Sequence, residues 1–351
     1  MNFGDVYRGK TVLVTGGNGF KGAWLCAWLE MLGAKVISLG LRDWPNQYIF
    51  NHSKLPKNIK QYYGDIRELS DLREIFLNHT VDFVFHLAAQ PIVRESFDRP
   101  IQTIKTNVIG TLNILECVRL FRVKGAVFIT SDKCYKNVEQ DDGYKEDDKL
   151  EGSDPYSASK SCAEVLIQSY RQSFPDMNIA SVRAGNIIGG GDYSKDRLVP
   201  DCIRALKDDK DIIIRNPEST RPWNFVLETL RGYLMVGQKL LEGDKDFRMA
   251  FNFGPTIENV VEAKIIAEKI VELWGKGNIK FGTPDETKHE HKKLALNIDK
   301  AKEMLGWEPV LSIDQMLKFT IDFYKDSGHD LIEVCQDQIG EYVECVKNSK
   351  K

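Results

Sequence analysis

The sequence predicts an α/β protein built on a doubly wound parallel sheet, with a smaller second domain toward the C-terminus. Three observations lead there. Short apolar runs alternate with amphipathic stretches through the first half of the chain, the pattern of successive β-α-β units. Runs such as VLV, FVF and VFI are apolar on both faces, as strands covered by helices on two sides must be. After Ala184 the pattern loosens into a glycine-rich turn at 189–191 and shorter elements, which read as an irregular domain laid over the carboxyl edge of the sheet. A chain of 351 residues suits one large domain or two coupled ones.

Taken in order, strands are expected at 11–15, 35–39, 59–63, 81–87, 126–130 and 179–183. Helices are expected at 20–32, 69–78, 101–121 and 156–174, the last two long enough to pack against a twin. Residues 1–184 are then mainly the first domain and 185–325 mainly the second, with some segments returning to the sheet. Residues 326–351 form an appended amphipathic tail. There Leu331, Cys335, Ile339, Tyr342, Val343 and Val346 recur at helical spacing, and a helix docked on the protein itself is expected.

Composition narrows the function. With 42% hydrophobic and 28% charged residues, the chain is neither disordered nor of low complexity. Lys and Arg number 48 against 51 Asp and Glu, a net charge of −3, which gives no reason to expect a nucleic acid or an acidic membrane as partner. No stretch reaches the roughly 18 apolar residues of a membrane span. The first ten residues carry charge and no apolar core, unlike a secretory leader. The chain therefore reads as a soluble cytoplasmic protein. Its seven cysteines, at 26, 117, 134, 162, 202, 335 and 345, form no C-x-x-C pair, so reduced thiols are expected. His289 and His291 flank Glu290 without the spacing of a metal site, and no metal is expected.

The first strand runs into Gly16, Gly17, Asn18, Gly19, Phe20, Lys21 and Gly22, and then a helix. Glycines let the backbone turn tightly and approach a pyrophosphate, while the helix start offers N–H groups and a positive dipole end. Strand before and helix after make this a dinucleotide loop. The acidic residue that would bind the adenosine ribose should fall near Leu39, where the chain reads Ser38-Leu39-Gly40-Leu41-Arg42. Charge alone thus leaves NAD and NADP both open. Asp65, followed by Ile66, either holds the adenine end or caps a helix.

Tyr156 and Lys160 stand at i and i+4 at the start of the fourth helix, on one face. A phenol near pKa 10 is a poor base at neutral pH, and a neighbouring ammonium is expected to lower it. The pair suits removal of a proton from a sugar or alcohol hydroxyl during hydride transfer.

Together the glycine loop, His86-Leu87-Ala88-Ala89, Asn107 in Asn-Val-x-Gly-Thr, and Tyr156 with Lys160 resemble the extended short-chain dehydrogenase/reductase superfamily, in order from near residue 10 to about 325. The resemblance implies a Rossmann sheet with a C-terminal nucleotide-sugar-binding domain, with Ser131 as third member of the catalytic triad. It places Gly16, Asn18, Gly19, Phe20, Lys21, Gly22, Asp65, Ile66, Leu87, Ala88, Ala89, Tyr156 and Lys160 around NAD. After the fifth strand, Asp132-Lys133 is similar to the acid and base of the nucleotide-sugar 4,6-dehydratases, and to their narrower CDP-glucose branch. Lys21, in place of the usual isoleucine, and the Arg221-Pro222-Trp223 run fit that branch too. Arg94, Asn186, Arg197, Arg221 and Asn252 match positions near the sugar and nucleotide.

The resemblance to that branch implies CDP-glucose as the substrate. Tyr156 takes the 4-hydroxyl proton, Ser131 holds the 4-keto oxygen, Lys133 takes the C5 proton, and protonated Asp132 donates to the departing 6-hydroxyl. A carboxyl kept neutral and an ammonium partly deprotonated both require burial. The alternatives are an NDP-sugar 4-epimerase, which uses the same Tyr156 and NAD but has no need of Asp132 and Lys133, and a 4,6-dehydratase acting on another nucleotide sugar. The resemblance also implies a homodimer joined by a four-helix bundle of the 101–121 and 156–174 helices.

Overall fold

The computed structural model describes residues 3–43, 47–256, 259–282, 294–326 and 328–349. The apolar runs become strands β1 (Thr11–Thr15), β2 (Lys35–Gly40), β3 (Ile59–Tyr63), β4 (Phe83–His86), β5 (Gly125–Ile129) and β6 (Ile179–Ala184). The C-terminal half adds β7 (Asn186–Ile188), β8 (Ile212–Ile214), β9 (Thr220–Phe225), β10 (Ala250–Phe253), β11 (Val260–Glu262) and β12 (Ile279–Phe281). The main sheet runs β10-β6-β5-β4-β1-β2-β3, and every pair in it is parallel. Chain order reverses at β1, whose neighbours are β2 and β4. At that switch point a crevice opens outside the carboxyl ends of the strands. The fold is a Rossmann-type doubly wound sheet, as expected.

The helices in chain order are α1 (Phe20–Met31), α2 (Tyr48–Asn51), α3 (Leu69–Asn78), α4 (Val93–Asp98), α5 (Pro100–Ile104), α6 (Gly110–Leu120), α7 (Pro155–Ser173), α8 (Leu198–Lys207), α9 (Val226–Leu241), α10 (Ala263–Trp274), α11 (Asp299–Leu305), α12 (Ile313–Lys325) and α13 (Leu331–Asn348). Alternation along the strands sends side chains to two cores. Val12, Val14, Phe83, Phe85 and Val127 share one core with Trp24, Trp28, Leu230 and Tyr233. Leu13, Val84, Ala126 and Phe128 share the other with Leu72, Ile114, Leu115 and Ile167. Thus α1 and α9 cover one face while α3, α6 and α7 cover the opposite one.

Two features differ from the sequence reading. A seventh sheet strand, β10, is absent from the expected strands; it pairs with β6 and is a segment of the C-terminal half that returns to the main sheet, as the domain reading allowed. The helix expected at 101–121 is interrupted by a π-helical turn over Lys105–Ile109. Gly110 follows that turn so close to Ile66 that a Cβ would lie 2.5 Å from its Cδ1. The smaller region contains the β11-β9-β7 sheet and the β12-β8 pair. All seven cysteines are free. Among the described residues no helix is long and apolar enough to cross a membrane.

Candidate active site

The glycine loop turns sharply between β1 and α1. Gly16 has φ 69°, a conformation that favours glycine, and a Cβ there would lie 2.9 Å from the backbone of Ala88. A Cβ on Gly22 would lie 2.0 Å from the Gly16 carbonyl oxygen, which forces the close approach of helix to strand. Gly19 is different: its Cβ would meet only the Gly16 carbonyl, at 3.3 Å. Gly19 is the N-cap of α1 and offers no side chain to the first-turn N–H groups. Two glycines therefore shape the loop and a third keeps its mouth open. That is the cradle a pyrophosphate needs, so the residues fit a dinucleotide.

A cavity of about 460 Å³ opens over the ends of β5, β6 and β7. Ser131, Asp132, Lys133, Tyr156 and Lys160 all line it, with Lys21, Leu87 and Ala89. Ser131 and Asp132 lie in the turn after β5. Ser131 Oγ donates to Asp132 Oδ1 at 2.9 Å and accepts from the Lys133 N–H at 3.2 Å. Tyr156 and Lys160 are set by the start of α7. There Asp154 accepts from the Ser157 N–H at 2.9 Å, and Pro155 occupies the first turn, a strong helix start.

Burial governs the charges. It raises the Asp132 carboxyl, against the Lys133 ammonium and the Ser131 hydrogen bond, which pull it down. A carboxyl so placed is disposed to hold a proton. Lys133 is only half-buried, so the burial expected of it is not fully met. Burial lowers Lys160 to about 8, opposed by Glu164. It pushes Tyr156 up to about 12, and the Ser131 hydrogen bond offsets only part of that rise. The Lys160 ammonium lies 6.0 Å from the Tyr156 ring centroid. Burial thus works against the lowered phenol expected from the sequence, while the Ser131 hydrogen bond works toward it. Loss of solvent around the Lys21 ammonium, then the charges of Lys160 and Arg197, lower it to about 7.

Beneath the cavity lies a buried polar layer. Glu164, one turn beyond Lys160, accepts from Arg183 at 2.7 Å, from Ser181 at 2.8 Å and from Thr130. Arg183 also donates to the Tyr135 hydroxyl at 2.7 Å and the Glu146 carbonyl at 2.8 Å. The turn at 131–133 is therefore gripped on both sides, through Thr130 and Tyr135.

Of the substrate residues, Arg94, Asn186, Arg197 and Arg221 line the cavity. Arg197 is aimed by Asp192, 3.1 Å away. Asn252 is turned elsewhere. It is fully buried, accepts from Tyr135 at 2.7 Å, and donates to the Tyr144 and Asn297 carbonyls. Its amide is occupied in joining strands and loops, which explains a polar residue between Phe251 and Phe253. Asp65 neither caps α3, which has no side-chain cap, nor faces the cavity: it binds the Arg67 guanidinium and N–H. Ile66 packs in the core beside Gly110, and Ala88 backs the glycine loop. Phe20 is buried in the α1 core. Asn18 is buried and donates to the Leu41 carbonyl at 2.9 Å and to Gln47 at 3.0 Å. His86 is structural: it bonds Thr15 and Thr111, and burial lowers it to about 3.

The π turn aims a residue that sequence reasoning quoted but assigned no role. Asn107 donates to Ser159 Oγ at 2.8 Å and to the Gln90 carbonyl, and accepts from the Gln90 N–H. It thereby ties the segment after β4 to α7. Asp192 and Asp154 were also overlooked as positioning groups; the Asp-Pro pair at 154–155 was a readable helix start. Among the described residues no group of His, Cys, Asp or Glu could hold a metal ion. The 289–291 histidines lie outside the described residues.

Comparison with known proteins agrees with this geometry. Residues 13–320 match the GDP-mannose 4,6 dehydratase family. The chain is 40% identical over 350 residues to the CDP-glucose 4,6-dehydratase of Salmonella typhimurium strain LT2, covering 97% of this chain and 98% of that protein. Among solved structures it is similar to the epimerase Mth375 of Methanothermobacter thermautotrophicus, with TM-score 0.82 and 27% identity over 92% of this chain and 94% of the other. The dTDP-glucose 4,6-dehydratase of Bacillus anthracis, solved in complex with NAD, shares the fold at TM-score 0.77 and 22% identity, covering 90% and 96% of the two chains.

Proposed function

The chain belongs to the GDP-mannose 4,6 dehydratase family, and from that premise we propose that it converts CDP-glucose into CDP-4-keto-6-deoxyglucose with NAD as cofactor. It is a nucleotide-sugar 4,6-dehydratase. The observation that carries the finer reading is the Ser131-Asp132-Lys133 turn, with Ser131 and Asp132 buried, lining one cavity with Tyr156 and Lys160. A 4-epimerase has no use for an acid and a base at that corner. The CDP base is supported by the Salmonella relative.

Bound NAD supplies a hydride acceptor for sugar C4 and a donor back to C6, so the reaction is a lyase step without net oxidation. Gly16, Gly19 and Gly22 hold it at the start of α1. Tyr156 takes the 4-hydroxyl proton, Lys160 supports the developing negative charge, and Ser131 donates to the new 4-keto oxygen. Lys133 removes the C5 proton, made acidic by that ketone, and a proton exchanged with solvent returns to C5 as C6 is reduced. Asp132, whose carboxyl pKa is raised by burial, gives its proton to the departing 6-hydroxyl. Arg94, Asn186, Arg197 and Arg221 hold the nucleotide and sugar, the arginines suiting phosphate by their fork of donors.

The protein pairs with a second copy through α5, α6 and α7. Support comes from the exposed apolar side chains Ile101, Ile104, Ile109 and Val165 on those elements and the turn joining them, since a bundle interface would cover them.

The test is incubation with CDP-glucose and NAD in D₂O, followed by mass spectrometry and NMR. Loss of one water, with a C4 ketone and deuterium at C5, is expected. CDP-galactose without water loss would mean an epimerase. Lys133→Met should permit oxidation at C4 but stop C5 exchange; normal exchange in that variant removes Lys133 from its role.

A further inference from the structure

Helix α13 takes no part in the chemistry above, yet it is firmly seated. Ile332, Cys335, Ile339, Tyr342 and Val346 are buried in the core shared with α1 and α9. The Tyr342 ring meets Trp28 edge-on, with centroids 6.0 Å apart. Its hydroxyl donates to buried Glu228 at 2.7 Å and accepts from Arg231 at 2.8 Å. Gln336 adds a bond to Glu30 of α1 at 2.9 Å.

From this fixed position the start of α13 grips a distant segment. The Ile332 N–H donates to Ser53 Oγ at 3.1 Å and to Asp330 at 2.9 Å. Asp330 in turn accepts from the Lys54 N–H. Each segment thus caps the other, across sequence separations of 276 and 279 residues. Ser53 Oγ also donates to the Ile49 carbonyl at 2.6 Å, which carries the grip into α2. At its other end the segment is tied to the glycine loop, where Gln47 accepts from Asn18 at 3.0 Å. Along its length the Tyr48 ring lies on Tyr193, with centroids 4.1 Å apart, and Ile49 packs on Gly191. The stretch 47–54 therefore follows the carboxyl end of β2, where a Rossmann sheet receives the adenosine half of a dinucleotide.

We propose that α13 is a positioning strut for the cofactor, holding residues 47–54 as a preformed wall beside the adenosine end of the site. Ser53 and Asp330 are its joint. A helix as short as α2 is not stable alone. Without the joint, ordering this wall falls on the cofactor, whose apparent affinity drops by the fraction of chains already competent. The inference rests on the NAD reading given above.

The experiment compares the full chain with Ser53→Ala, Asp330→Ala and the double variant, measuring NAD affinity by isothermal titration calorimetry. Loss of the two capping interactions should weaken NAD on the order of tenfold in the double variant. At saturating NAD, kcat and the KM for CDP-glucose should stay within about twofold, because the joint touches no reacting atom. Gln338→Ala removes a bond between α13 and the Phe319 carbonyl of α12 and should leave NAD affinity unchanged. An unchanged NAD Kd in the double variant overturns the proposal. So does an equal loss in Gln338→Ala, which would mean general loosening. Failure of the unaltered protein to bind NAD removes the cofactor reading itself, and the strut with it.

Discussion

Replacing Glu164 with Gln tests the polar layer under the active site. Glu164 and Arg183 are both nearly inaccessible, with side chains 3% and 4% exposed, and lie 2.7 Å apart. Burial would raise the Glu164 carboxyl, but Arg183 and the hydrogen bonds from Thr130 and Ser181 outweigh it, so the group is held ionised. Gln keeps the shape and removes the charge, leaving a buried guanidinium without its counter-ion. Removing one partner of such a pair costs about 3–5 kcal/mol. Arg183 keeps the Tyr135 hydroxyl and the Glu146 carbonyl, which places the cost near the lower end, about 3 kcal/mol. Urea unfolding followed by circular dichroism measures it. The double variant E164Q/R183M removes both charges and should recover at least half the loss. A cost below about 1 kcal/mol for E164Q, or no recovery in the double variant, would refute the reasoning. A second readout is chemical. Glu164 opposes the lowering of Lys160, so in E164Q the pH at which Lys160 loses its proton should move below its present value.

Other expectations follow from the same geometry. The folded-state pKa of Lys160, about 8, lies below the ordinary lysine value, so its cation, and the support it gives to a Tyr156 phenolate, is lost as pH rises through about 8. A pH profile of kcat/KM should therefore fall on the alkaline side near pH 8; a profile flat to about pH 9.5 would separate Lys160 from the reaction. Gly22→Ala drives a methyl into the Gly16 carbonyl and should lower the melting temperature as well as NAD affinity. Gly19→Ala meets no such barrier in the loop and should fold normally while binding NAD at least tenfold more weakly, a loss of about 1.4 kcal/mol or more. Equal melting behaviour in the two variants would contradict the separate roles assigned to these glycines.

Much of the architecture was legible because it rests on local pattern. The runs around Val12, Val84 and Val127 carry their burial on both faces, and the glycines at 16 and 22 record a steric requirement that only their residue type can meet. The stripe of α13 was readable for the same reason. What escaped depends on neighbours far along the chain. β10 is four residues long and has meaning only beside β6. Asn252 looks like a polar group offered to substrate, yet its amide satisfies Tyr135, Tyr144 and Asn297, all more than forty residues away. The π turn over Lys105–Ile109 shifts the helical phase by about one residue, too small a change to read in a short apolar stripe. Proximity of Tyr156 and Lys160 was predictable from i, i+4, but their proton affinities were not, because burial is a property of the assembled cavity.

The contact between Asn18 and Gly40 bears on how this protein changes over evolutionary time. A Cβ on Gly40 would lie 1.7 Å from the Asn18 amide oxygen, so the end of β2 accepts a side chain only if Asn18 gives way. The carboxylate that many dinucleotide sheets carry near this strand end therefore enters position 40 only by displacing the Asn18 amide. A lineage acquiring it there displaces that amide or shortens residue 18, giving up the bonds to Leu41 and Gln47 before gaining anything in return. A laboratory search for altered cofactor preference meets the same valley: libraries that vary the strand end alone will return mostly damaged proteins, whereas randomising 18 and 40 as a pair opens the route.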